Sequence, residues 1–223
     1  MKALLPLAFA VIALGGCGQD PAETMLNVVA TAADLITAGE TGAAAAAEPG
    51  PAATGFTPEE VAATPEAYRL VTINALGIAE LARRITPTGE RETFVAQSGF
   101  TATYEDGILI ATRGLVGEDI MAANAPGLLD ALAAGEGTIT RTIEILDSLN
   151  RIQASSFTCT LTAQGVETIN LGIRSVEAQR VDENCRGAAL IFDNIYWLDA
   201  DESILASRQY VSPTVAYLRS NRL

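Results

Sequence analysis

The chain has 223 residues, with 14 Lys and Arg against 27 Asp and Glu for a net charge of −13, and it contains no histidine. This length suits one domain with appendages, and so acidic a chain offers no basic surface for gathering nucleic-acid phosphates. The missing histidine excludes Ser-His-Asp and Cys-His machinery, histidine metal sites and an imidazole pH switch, and with aromatics at 5% the core must come mostly from Val, Ile and Leu.

The chain opens MKALLPLAFAVIALGGCG. Lys2 supplies a positive start, and the apolar run from Leu4 to Leu14 is too short for a permanent bilayer span, which needs about 20 residues. Leu14-Gly15-Gly16-Cys17 closes it as a bacterial lipobox does. Small residues give a protease access to the bond, and the thiol of Cys17 becomes the site of lipid attachment. The predicted organisation is a signal peptide over 1–16, a lipid-anchored segment over 17–55 and a β domain over 56–223; the alternative is an ordinary cleaved signal with an incidental cysteine. Two or more acyl chains make such an anchor stable. Gly18 rather than aspartate after the cysteine favours the outer membrane. Cleavage removes Lys2, leaving 13 basic against 27 acidic residues, so anionic headgroups repel the body and the lipid must do the attaching.

Met25, Leu26, Val28, Val29, Ala32, Leu35 and Ile36 have helical spacing within Pro21 to Ile36. Gly39 to Gly55 is an Ala/Gly/Pro-rich tether with nothing to bury. From Phe56 onward the signals are chiefly of strands. Thr57-Pro58-Glu59-Glu60 starts a short helix, and a β-branched segment follows from Tyr68 to Asn74. Ile78 to Ile85 fits either a strand or a helical turn. Strands are expected over Arg91–Gln97, Phe100–Tyr104 and Ile108–Thr112, the last two joined by an Asp106-Gly107 hairpin turn. A helix is expected over Ala125–Ala134.

Thr138 to Leu146 then alternates, placing Ile139, Arg141, Ile143 and Ile145 on one side. Further strands are expected over Arg151–Thr162, Glu167–Ile173, Val176–Val181, Ala188–Leu198 and Ile204–Val211, with Ala163-Gln164-Gly165 and Asp199 to Ser203 as connections. Many strands with short connections describe a mainly β fold, a large antiparallel meander with a few short helices. With Cys17 committed to lipid, Cys159 and Cys185 remain. In an oxidising compartment they are expected to form a disulfide closing a loop of 26 residues, worth about 3–3.5 kcal/mol in the chain-entropy account; the alternative is two buried thiols.

Three acidic clusters stand out: Glu118-Asp119, Asp182-Glu183, and Asp199 with Asp201 and Glu202. In so acidic a chain they are expected to be solvated turns, and the last lacks the 12-residue calcium-loop pattern. Arg113 beside Gly114 at a strand end suits either a carboxylate or sugar ligand or its own backbone carbonyls. Trp197 with Arg208 and Tyr210 suits either a sugar-stacking surface or a core anchor. No catalytic residue, metal site or cofactor is expected.

At these residues a resemblance appears. Asp106 to Ala122 (DGILIATRGLVGEDIMA) and Phe192 to Pro213 (FDNIYWLDADESILASRQYVSP) resemble two signatures of the YjbF/GfcB family of group 4 capsule and exopolysaccharide lipoproteins, and Cys159 and Cys185 stand where that family has its cysteines. Tyr210 replaces the family's usual tryptophan, and Glu202-Ser203 its usual glycine turn. The resemblance implies a lipoprotein at the periplasmic face of the outer membrane with an antiparallel meander curled into a half-barrel. It implies a non-enzymatic accessory of exopolysaccharide or capsule export or assembly, with polysaccharide secretion proteins or the polysaccharide itself as partners. The alternative is a periplasmic carrier or binding module holding a lipid or glycan in the concave face; a carboxylate-pair enzyme is the third reading.

Overall fold

The computed structural model describes residues 56–88, 91–115, 118–146, 149 and 151–223. The signal peptide, Cys17, the 21–36 helix and the 39–55 tether lie outside the described residues.

The body is a single antiparallel sheet of twelve strands. A first meander holds β1 (Tyr68–Ile73), β2 (Ile78–Thr88), β3 (Arg91–Ala96), β4 (Thr101–Glu105) and β5 (Ile108–Arg113). A second holds β6 (Ile120–Asn124), β7 (Glu136–Leu146), β8 (Ile152–Asn170), β9 (Ser175–Arg186), β10 (Ile191–Leu198), β11 (Ile204–Ser212) and β12 (Ala216–Arg222). The strand order is β5-β4-β3-β2-β1-β12-β11-β10-β9-β8-β7-β6. The first and last strands are therefore paired, Arg69 opposite Arg222 and Val71 opposite Ser220. The two free edges fall on β5 and β6, which are consecutive in the chain. The antiparallel meander expected from the sequence is what folds, and its curl runs past half a barrel until these two edges meet.

Helix α1 (Pro58–Ala63) has the expected start: the Thr57 hydroxyl accepts from the Glu60 N–H, and the Glu60 carboxylate accepts from the Thr57 N–H. Helix α2 (Leu128–Ala134) begins later than expected, because Gly127 is left-handed at φ 79° and Pro126 lies outside the helix. It packs Leu128, Ala131 and Leu132 on Leu161, Val181, Tyr196 and Ile204. The Asp106-Gly107 turn has both residues at positive φ, 49° and 84°, as a tight hairpin requires. Glycine is doubly needed there, since a Cβ on Gly107 would stand 2.8 Å from the Cβ of Ile204.

Several strand expectations change. Ala163-Gln164-Gly165 is no turn but a bulge inside the 19-residue β8, with Gly165 at φ 105° and the register against β9 shifting there. An extra residue kinks a strand without ending it. Past the bulge the β8–β9 hairpin reaches β12, where the Asn221 amide donates to the Asn170 carbonyl at 3.2 Å. β9 also runs on past Val181 to Arg186, β10 begins at Ile191, and β6 and β12 are additions where the sequence reading left no strands.

The interior is filled by Phe94, Tyr104, Leu109, Ile120, Phe157 and Leu218, none more than 4% exposed. Cys159 and Cys185 are opposite one another on β8 and β9 and form the expected disulfide. Both are fully buried, so reductant reaches them only when the strands separate.

The turn from Asp199 to Ser203 keeps the backbone of a glycine turn without the glycine. Glu202 sits at φ 64° and donates its N–H to the Asp199 carbonyl at 3.1 Å. A side chain in that region costs about 1 kcal/mol. Glu202→Gly is therefore expected to raise the melting temperature by about 2–4 °C for a body of this size; an unchanged or lower value in a thermal melt would show that the turn stores no strain.

Candidate functional site

The two signature segments lead to different places. The first closes the sheet. Among the described residues no backbone ladder joins β5 to β6; side chains at the end of β5 and in the segment that follows do that work. Asp119 accepts from the Thr112 hydroxyl at 2.9 Å, from the Gly114 N–H at 2.8 Å and from the Leu115 N–H at 3.2 Å. Thr112 in turn accepts from the Ile120 N–H at 3.0 Å. Arg113 lays its guanidinium across the gap and donates to the carbonyls of Ile120 at 2.7 Å and Met121 at 3.3 Å. Of the two roles the sequence leaves open for Arg113, the geometry matches the backbone-carbonyl one. These bonds satisfy edge groups that would otherwise invite another strand.

The second signature splits between the two faces of β10 and β11. Tyr196 and Gln209 point inward and join a buried network around Glu183 of β9. Arg141 of β7 spans β8 and grips Glu183 with two bonds of 2.9 Å each, from Nε and from Nη2. Arg141 and Glu183 are 3% and 0% exposed. The Asn194 amide donates to Glu183 at 2.7 Å and the Tyr196 hydroxyl at 3.0 Å, while Arg141 donates to Tyr196 at 2.9 Å. Burial works against the Arg141 charge, but Tyr196 and Glu183 outweigh it and its pKa is raised. Burial also pushes the Tyr196 hydroxyl well above its ordinary value, so it remains a donor. Gln209 crosses the interior to the free edge, accepting from the Leu109 N–H at 2.9 Å and donating to the Gly107 carbonyl at 3.0 Å.

On the opposite face, Trp197 is 5% exposed, packs with Ile169, Ala178 and Ala206, and donates its indole N–H to Glu167. The Arg219 guanidinium lies 4.9 Å from its ring centre. Arg208 pairs with Asp193 and stands 4.3 Å over the Tyr217 ring. Tyr210 belongs instead to the interior core, where it stacks on Phe192 at 4.5 Å. Its hydroxyl is buried without a partner, and burial, with Glu118 adding, pushes its pKa up to about 12. Arg113 is thus at the seam, Tyr210 is in the interior with Glu118 of that seam nearby, Trp197 and Arg208 are on the other face, and the rings of Trp197 and Tyr210 are turned into the protein rather than towards a sugar.

Two acidic clusters expected to be solvated turns are otherwise employed. Asp119 holds the seam, and Glu183 is the centre of the buried network. Strand parity carried the signal for Glu183, because Val181, Glu183 and Cys185 share a face once β9 is extended past Val181. A carboxylate this enclosed, with both oxygens engaged, acts as a cross-link between β7, β9 and β10. The neighbouring cysteines are joined to each other, so they offer no thiolate to a metal.

The family model described as "Group 4 capsule polysaccharide lipoprotein gfcB, YjbF" matches residues 30–223. Among solved structures, the chain is similar to a hypothetical lipoprotein, YmcC, from Escherichia coli K12. Identity is 19%, the match covers 73% of this chain and 86% of that one, and the TM-score is 0.62; at that identity the likeness speaks for the fold. No curated protein matches significantly.

Removing one partner of a buried ion pair leaves a naked charge and costs about 3–5 kcal/mol. Glu183→Gln is expected to lose that much in urea unfolding. Combining Glu183→Leu with Arg141→Met should regain roughly half, the rest being the bonds Asn194 and Tyr196 lose. If Glu183→Gln unfolds at the wild-type midpoint, the network carries no stability.

Proposed function

Because the chain belongs to the YjbF family of group 4 capsule polysaccharide lipoproteins, we propose that it is an outer-membrane lipoprotein. In this reading it faces the periplasm and serves as a non-enzymatic accessory of exopolysaccharide or capsule export or assembly. Cys17 carries the lipid that holds it there. The family match over residues 30–223 carries the polysaccharide connection. The destination of the signature residues supports the accessory part: Thr112, Arg113 and Asp119 are occupied in closing the sheet, and Tyr196 and Gln209 in its buried network.

A carrier would need room for a lipid or glycan between the walls. The interior is instead crossed by Gln209 and filled by rings and aliphatic chains, which favours the accessory role. The body then presents an outer surface to its partners, and the lipid fixes where that surface stands.

Deleting the gene is expected to abolish surface and secreted polysaccharide, and the wild-type chain should restore it. Cys17→Ala should accumulate as a soluble protein and fail to restore it. Unchanged polysaccharide in the deletion strain would refute the proposal, and full rescue by Cys17→Ala would remove anchorage from it.

A further inference from the structure

Arg69 and Arg222 face each other across β1 and β12 and line one cleft of about 500 Å³. Arg69 is 3% exposed and poorly supplied with partners. It donates to the Ser220 hydroxyl at 3.2 Å and stands 3.5 Å from Glu92, but its Nε–H is buried with none. Its guanidinium lies over the rings of Phe94 and Tyr104, at 4.7 and 4.5 Å from their centres. Burial lowers its pKa, and the like charge of Arg222 adds to this. Arg222 is exposed and has neither an ion pair nor a side-chain hydrogen bond among the described residues. Two cations held together with one carboxylate, Glu92, paired to the first of them are an arrangement that a bound anion would relieve.

The rest of the cleft's lining has the reverse chemistry. Asp106 of the β4–β5 turn, Asp130 of α2 and Asp201 of the β10–β11 turn line it, and their carboxylates accept no hydrogen bond from the described residues. Glu92 and Glu202 are also in the lining, so carboxylates outnumber guanidiniums. A compact anion such as phosphate gains at the arginines and loses to this excess of negative charge. A ligand that carries both a carboxylate and hydroxyl donors satisfies both sets of groups, and Leu129 and Ile204 add apolar lining for its C–H groups.

We propose that this cleft binds an acidic saccharide of the uronate class, its carboxylate between Arg69 and Arg222 and its hydroxyls donating to Asp106, Asp130 and Asp201. The choice of a sugar rests on the polysaccharide reading above; the polarity of the cleft does not.

The test is a titration of the full chain in detergent with glucuronate, glucose and inorganic phosphate, following the backbone amide resonances of Asp106, Asp130 and Ser203. Glucuronate is expected to move them and saturate at a Kd on the order of 1 mM, with glucose and phosphate at least tenfold weaker. Arg222→Ala, at an exposed position, should weaken glucuronate at least tenfold while leaving the spectrum folded. Phosphate binding as well as glucuronate would overturn the proposal in favour of a plain anion site, and no shift with glucuronate would overturn it outright. Neither result touches the export role, which the deletion strain decides. Binding without a deletion phenotype would retain the cleft and discard the export role.

Discussion

A carboxylate with no access to water must be surrounded by donors, and the second half of this chain is arranged around one. Glu183 is gripped by Arg141 from two strands away and by Asn194 and Tyr196 from the adjacent strand. Those contacts fix the relative positions of β7, β9 and β10, and the Asn194 side chain passes the constraint on by accepting from the Tyr210 N–H of β11 at 2.7 Å. The disulfide lies on the same interior face, two residues along β9. Covalent and ionic cross-links therefore pin the same stretch of sheet.

From that anchored wall a single side chain crosses to the opposite one. Gln209 bonds the Gly107 carbonyl and the Leu109 N–H, on either side of Ile108 at the start of β5, holding the free edge against the interior. A sheet of this topology has an unusual closure problem. Its first and last strands are already paired as β1 and β12, so its opening falls between two strands joined by a short loop. Asp119, Thr112 and Arg113 close it with side-chain bonds in place of a ladder. The two signature segments thus act on one task from opposite sides: one laces the seam, and the other braces the edge strand from within.

Much of this architecture was legible in the sequence for physical reasons. Asp106-Gly107 announced a hairpin because few residues tolerate positive φ twice in succession. The alternation of β7 put Arg141 on the side of Ile139 and Ile143, where it is found. Two cysteines outside the lipobox announced a cross-strand disulfide. What stayed hidden depended on partners distant in sequence. Parity with Val181 and Cys185 is the one local sign that Glu183 is internal, and its donors come from residues 141, 194 and 196. The bulge at Gly165 mimicked a turn, because a glycine after a polar residue such as Gln164 looks the same in either role. The cleft could not be foreseen, because Arg69 and Arg222 sit near opposite ends of the body and meet only through the β1–β12 pairing.

The central claim is that side chains of the first signature, rather than a backbone ladder, hold the sheet closed. Hydrogen exchange followed by mass spectrometry in Asp119→Ala tests it most directly. Segments Ile108–Arg113 and Ile120–Asn124 should lose protection together, while the segments of β8, β9 and β10 exchange as in the wild type, because local opening spares the strands held by Glu183 and the disulfide. Wild-type protection across both edge strands would contradict the account and leave the seam without a function.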